Sequence, residues 1–122
     1  DISNASLGTE ELNALGETLA NLKNLRRLGL GLSACNLTSE EVLKLVESII
    51  RIPSLTMLRL DLSLNKIWLN GALRLVRLIG SMKNLHEIVL NLEKSKIRKD
   101  DCQKILEDIR KQVPKVSFKC SY

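Results

Sequence analysis

The chain has 122 residues, a formal net charge of +5 and 44% hydrophobic residues, and its only rings besides His86 are Trp68, Phe118 and Tyr122. That length suits one domain. The apolar content excludes a disordered chain, and no apolar run approaches the roughly 18 residues that a membrane-spanning helix needs. A core made from 25 leucines and so few rings must be thin and regular. The charge is uneven: residues 1–61 carry a net −2 and residues 62–122 a net +7.

Self-comparison organises the chain before any element is assigned. Three segments align at a spacing of 30 without a gap, LRRLGLGLSACNL from Leu25, LTMLRLDLSLNKI from Leu55 and LHEIVLNLEKSKI from Leu85. In chain order, a partial unit, 1–24, comes first. Its Ile2 and Leu7 stand in register with the tail of the later units, and Leu12, Leu15 and Leu19 form the apolar stripe of a helix. The unit 25–54 opens with a strand. Its helix starts at a capping box of Thr38 and Glu41, carries Val42, Leu45 and Ile49, and stops at Pro53. In the unit 55–84, Leu58, Leu60 and Leu62 alternate with Arg59, Asp61 and Ser63, which predicts a strand with one buried face. Asn70 is the expected cap before Gly71, and Ala72, Leu75 and Ile79 follow. The unit 85–114 repeats the plan with Cys102, Ile105 and Ile109 on its helix, and Pro114 ends it. Residues 115–122 match the start of a further unit, with Phe118, Cys120 and Tyr122 on the inward columns. Glu10-Glu11, Glu40-Glu41 and Asp100-Asp101 place negative charge at helix starts, where the dipole favours it.

The shared pattern LxxLxLxLxx(C/N/S)x(L/I) resembles that of leucine-rich-repeat proteins of the ribonuclease-inhibitor-like type. Leu60-Asp61-Leu62-Ser63-Leu64-Asn65-Lys66-Ile67 carries the match most clearly. The resemblance implies an α/β fold, a right-handed curved solenoid with parallel strands on the concave face and helices on the convex face. It also implies a ladder position at Cys35, Asn65 and Ser95 that hydrogen-bonds a buried loop backbone. Ala5, in the first partial unit, departs from that position. The units read as a single domain, 1–122. Terminal caps are not visible, so the chain reads as a fragment of a larger protein.

No catalytic constellation is visible. His86 sits at an outward strand-entry position and reads as a solvated histidine, since one histidine makes no triad without a placed nucleophile and acid. No phosphate-binding glycine loop occurs. Cys35, Cys102 and Cys120 lack metal-ligand spacing and read as small apolar thiols in a reducing compartment. Asn4 and Asn36 begin chance glycosylation triplets. No enzyme activity, cofactor, metal, membrane or small-molecule substrate is therefore expected, and the setting expected is intracellular, in the cytoplasm.

The expected role is a non-catalytic protein-interaction scaffold or subunit that binds a partner by the concave strand face. Its candidate residues are Arg27, Met57, Arg59, Asp61, Glu87, Val89, Asn91 and Lys119, with Gly29 and Gly31 leaving room for close approach. The partner could be acidic, given the basic second half. One outward column is read as Gly29, Arg59, Val89 and Lys119. Trp68, placed in a loop, is read as a ring laid over Leu64 or Leu69 in preference to an exposed contact. Lys94, Lys96, Arg98 and Lys99 form a candidate basic patch for nucleic acid or a ribonucleoprotein, weakened by the lack of an aromatic platform. A regulatory or targeting role within a larger enzyme is the third reading.

Overall fold

A computed structural model describes residues 9–122 of the chain. Strands and helices alternate: α1 (Thr9–Ala20), β1 (Arg27–Gly31), α2 (Ser39–Ile49), β2 (Met57–Asp61), α3 (Trp68–Gly80), β3 (Glu87–Leu92), α4 (Lys99–Arg110) and β4 (Lys115–Cys120). The four strands form one parallel sheet in the order β1-β2-β3-β4. Each helix therefore returns the chain to the next position in the sheet, and helices also pack in sequence order, α1 on α2, α2 on α3 and α3 on α4. The architecture is α/β. Ile2, Leu7, Ala5 and Asn4 lie outside the described residues.

The apolar stripes expected from the sequence form the inner layer. Val42, Leu45 and Ile49 of α2, Ala72, Leu75 and Ile79 of α3, and Ile105 and Ile109 of α4 are buried. They meet Leu58 and Leu60 of β2 and Ile88, Leu90 and Leu92 of β3 in one continuous cluster. Most of these slots hold aliphatic side chains, in keeping with the shortage of rings. A buried leucine of this kind contributes about 2 kcal/mol by leaving water.

Helix starts are built in two ways. At α2 the capping box forms: Glu41 N–H donates to Thr38 Oγ1 at 3.4 Å, and Thr38 N–H donates to Glu41 Oε1 at 3.1 Å. At α3 the expected Asn70 cap is not used. The helix begins at Trp68, Ile67 precedes it with no side-chain capping bond, and Asn70 lies inside the first turn. The first helical N–H, that of Trp68, instead donates to the Ser95 carbonyl of the next unit at 3.1 Å. Gly71 is then explained by packing. A Cβ there would collide with the Ser39 side chain, whose hydroxyl donates to the Ile67 carbonyl.

The register confirms the 30-residue spacing twice and breaks it once. Arg59 pairs with Gly29 and Val89, steps of 30 in each case. Between β3 and β4 the step is 28, with Glu87 opposite Lys115, Val89 opposite Ser117 and Asn91 opposite Lys119. The joint between α4 and β4, residues 111–114, is two residues shorter than the joint 81–86 between α3 and β3. Val116, Phe118 and Cys120 thus occupy the inward columns, and Tyr122 does not. Because the step is even, inward residues stay inward.

The cysteines correct another expectation. Cys102 of α4 and Cys120 of β4 form a disulfide, their Cα atoms 5.7 Å apart. Cys102 lies on the helix of one unit and Cys120 on the strand of the next, and their proximity overrides the reading of plain thiols. Cys35 is buried, and its Sγ lies 3.5 Å from the Ser33 carbonyl.

Candidate functional site

The strand face is assembled from three outward columns. They are Arg27, Met57, Glu87 and Lys115; Gly29, Arg59, Val89 and Ser117; and Gly31, Asp61, Asn91 and Lys119. Lys119 therefore stands beside Asn91, not beside Val89 as the uninterrupted spacing suggested. Ser117, missed from the sequence, takes the Val89 column. A signal for this was present: Val113, Val116, Phe118 and Cys120 repeat the spacing of Leu85, Ile88, Leu90 and Leu92. Arg59, Asp61, Val89, Asn91, Ser117 and Lys119 line one cavity of about 250 Å³, with Leu60 and Leu90 at its floor.

Its charges are not equally available. Asp61 Oδ1 accepts from Ser63 N–H at 3.1 Å and from Ser63 Oγ at 2.7 Å, so the carboxylate is turned to its own loop. Asn91 makes the same turn one unit later, accepting from Glu93 N–H at 2.9 Å. Glu87 pairs with Lys115 at 3.7 Å. Arg27, Arg59 and Lys119 are exposed and form no ion pair among the described residues. With Arg27, Arg59, Lys115 and Lys119 against Asp61 and Glu87, the face is mixed in charge with a positive excess, and it has polar flanks at Asn91 and Ser117 and an apolar spot at Val89.

The turns that follow β1, β2 and β3 form a second region. Their buried ladder residues, Cys35, Asn65 and Ser95, brace the loops from within. Asn65 is the best used. Its Oδ1 accepts from Cys35 N–H at 3.2 Å and Leu37 N–H at 2.9 Å, and its Nδ2 donates to the carbonyls of Leu32, Leu62 and Ser63. Outside this ladder the turns carry exposed groups. Trp68 is 53% exposed, so about half of its surface is open to a contact, while Leu69 is partly buried against the core. Leu64 is exposed rather than covered by that ring, at 52%. Tyr122, displaced from the inward column by the shorter joint, is 63% exposed.

The basic patch at Lys94, Lys96, Arg98 and Lys99 is exposed throughout. The ring expected to be missing is there: Lys96 Nζ sits 4.9 Å from the centre of the Tyr122 ring. Lys66 joins from the preceding turn, and Leu64, Asn65, Lys66, Lys94, Lys96 and Tyr122 line a cavity of about 460 Å³. On the neighbouring helices, Arg74 pairs with Glu40 at 2.8 Å and Lys104 with Asp101 at 3.4 Å, so these basic side chains add little to the patch. Among the described residues, no group of His, Cys, Asp and Glu is arranged to hold a metal ion. No helix among them is long and apolar enough to cross a membrane.

No protein-family model matches the sequence, and a search of curated proteins returns no match. Among solved structures, the chain is similar to one titled "Leiomodin-1 Actin-Binding Site 2 (ABS2)", with a TM-score of 0.67 and 16% identity. The match covers 97% of this chain and 68% of that one. At that identity the likeness is one of fold, an alternation of strands and helices over almost the whole chain. It leaves the chemistry of this chain's own surface to be argued from its residues.

Proposed function

We propose that this chain is a non-catalytic protein-interaction module that grips a partner with its strand face. The strand–helix unit, its 30-residue step across β1, β2 and β3 and its Asn65 ladder support a leucine-rich-repeat solenoid, with the strands on the concave side. The observation that carries the functional reading is the cavity shared by Arg59, Asp61, Asn91, Ser117 and Lys119, where two cations with no ion pair among the described residues stand against one carboxylate that is turned to Ser63. Such a site suits carboxylates on an extended segment of an acidic protein, since guanidinium and ammonium groups meet them with charge-assisted hydrogen bonds.

The test compares the chain with its Arg59→Glu/Lys119→Glu double variant. Actin is the first defined probe, because the similar solved structure is named as an actin-binding site; proteins captured from a lysate and identified by mass spectrometry are the second. Both substitutions lie on the exposed face, so the melting temperature stays unchanged while capture weakens at least about tenfold. Capture that is indifferent to the double charge reversal overturns the reading.

A further inference from the structure

The turns after β2 and β3 gather features that folding does not need. Leu64, Trp68 and Tyr122 are three of the four exposed large hydrophobic residues among those described. Trp68 N–H donates to the Ser95 carbonyl and Leu64 N–H to the Glu93 carbonyl, which ties both residues to the loop carrying Lys94 and Lys96. Lys96 N–H in turn donates to the Tyr122 carbonyl. Apolar side chains and lysines are therefore interleaved along one edge, with Glu93 as the exposed acidic neighbour.

The backbone here is also held in an unfavourable form. Leu64 and Trp68 have φ of 60° and 63°, and Lys94 and Lys96 have 53° and 65°. The left-handed region disfavours residues with a Cβ, and bulky ones are seldom found there. Ala34, Leu64 and Lys94 share one slot at steps of 30, so the slot itself demands the conformation. Glycine or asparagine would fill it more easily. This chain instead holds a half-exposed leucine there, and a half-exposed tryptophan in the same conformation four residues on. Strain kept at exposed positions points to a role outside folding.

We propose that this turn edge is a second docking site, distinct from the strand face, which takes an acidic protein segment bearing one apolar anchor side chain. The cavity between Leu64 and Tyr122 receives the anchor, and Lys66, Lys94 and Lys96 meet the flanking carboxylates. Charge complementarity selects an acidic occupant. The cavity offers room for one apolar side chain, and anionic vesicles are the rival that the test sets against a peptide. Nucleic acid fits less well, because only Tyr122 offers a ring within the cavity and Lys96 already stands over it.

Trp68 is the only tryptophan of the chain, so its emission reports on this edge alone. The experiment titrates the full chain with short fluorescein-labelled peptides of Asp and Glu carrying one Leu or Phe. Controls are peptides with Lys in place of the acids, peptides without the apolar residue, an oligothymidylate and phosphatidylserine vesicles. Saturable binding of the acidic, apolar-bearing peptides is expected, with a blue shift of Trp68 emission. Leu64→Asn suits the left-handed slot and leaves the fold intact, yet weakens binding about tenfold, as does Lys94→Glu/Lys96→Glu. Arg59→Glu leaves the shift of Trp68 emission unchanged, which separates this edge from the strand face, where the same acidic peptides also bind under the reading above. Absence of binding, equal binding of peptides without the apolar residue, or tighter binding of the oligothymidylate or the vesicles overturns the proposal.

Discussion

The turn after β2 and the turn after β3 hold a ladder residue in the same slot, yet they secure their neighbours in different ways. Asn65 serves five backbone groups at 2.8–3.2 Å, two of them amides and three of them carbonyls. Ser95 reaches only the Leu62 and Glu93 carbonyls, both at 3.4 Å. The difference is one of reach and inventory. An amide side chain has two donor hydrogens and an accepting oxygen on a longer stem, whereas a hydroxyl has one donor. The unit with the weaker ladder is the one whose helix is tied to the next strand by the Cys102–Cys120 disulfide. One junction is thus secured by a dense hydrogen-bond node and the next by a covalent link.

That contrast is open to breaking. Asn65→Ala strands the Leu37 amide and the Leu32 carbonyl in a buried site, and a loss of about 4 kcal/mol is expected. Urea unfolding reads it as a lowered midpoint with an unchanged slope. A loss near zero would mean that the loop closes without its node. Opening the disulfide ranks next. The two cysteines are separated by 18 residues, so releasing that loop costs about 3 kcal/mol. Melting with and without dithiothreitol measures it, and Cys102→Ser/Cys120→Ser removes the response to reductant. Ser95→Ala is the smallest effect, about 1 kcal/mol, as the bonds lost are long. If Ser95→Ala costs as much as Asn65→Ala, the two turns are equivalent after all and the contrast fails.

Much of this architecture was legible because it is periodic. Each of the stripes Val42, Leu45, Ile49 and Ala72, Leu75, Ile79 lies on one buried helix face, and Leu58 and Leu60 alternate with exposed or half-exposed neighbours. The capping box at Thr38 was legible for the same reason, since both of its partners are local. What escaped was set across units. The helix α3 begins ahead of Asn70, at Trp68, whose N–H reaches a carbonyl 27 residues away, at Ser95. The position of Lys119 and the exposure of Tyr122 follow from a joint length that the uninterrupted spacing hides. The place of Trp68 at the start of α3 escaped because it goes with a left-handed backbone angle that no side-chain pattern announces. On the strand face, Ser117 and the availability of the charged groups escaped as well. Asp61 looks like a surface acid in the sequence and is held by Ser63 in the fold.

The short joint at residues 111–114 carries one more consequence. Side chains along β4 alternate between the helix layer and the solvent with a period of two. A joint that differs from its counterpart by two residues preserves that alternation. One that differed by a single residue would turn Val116, Phe118 and Cys120 outward, bring Lys115 and Ser117 against the helices, and carry Cys120 away from Cys102. The joint therefore works as a parity filter on insertions and deletions: even changes slide the last strand along its neighbour, and odd ones turn it inside out.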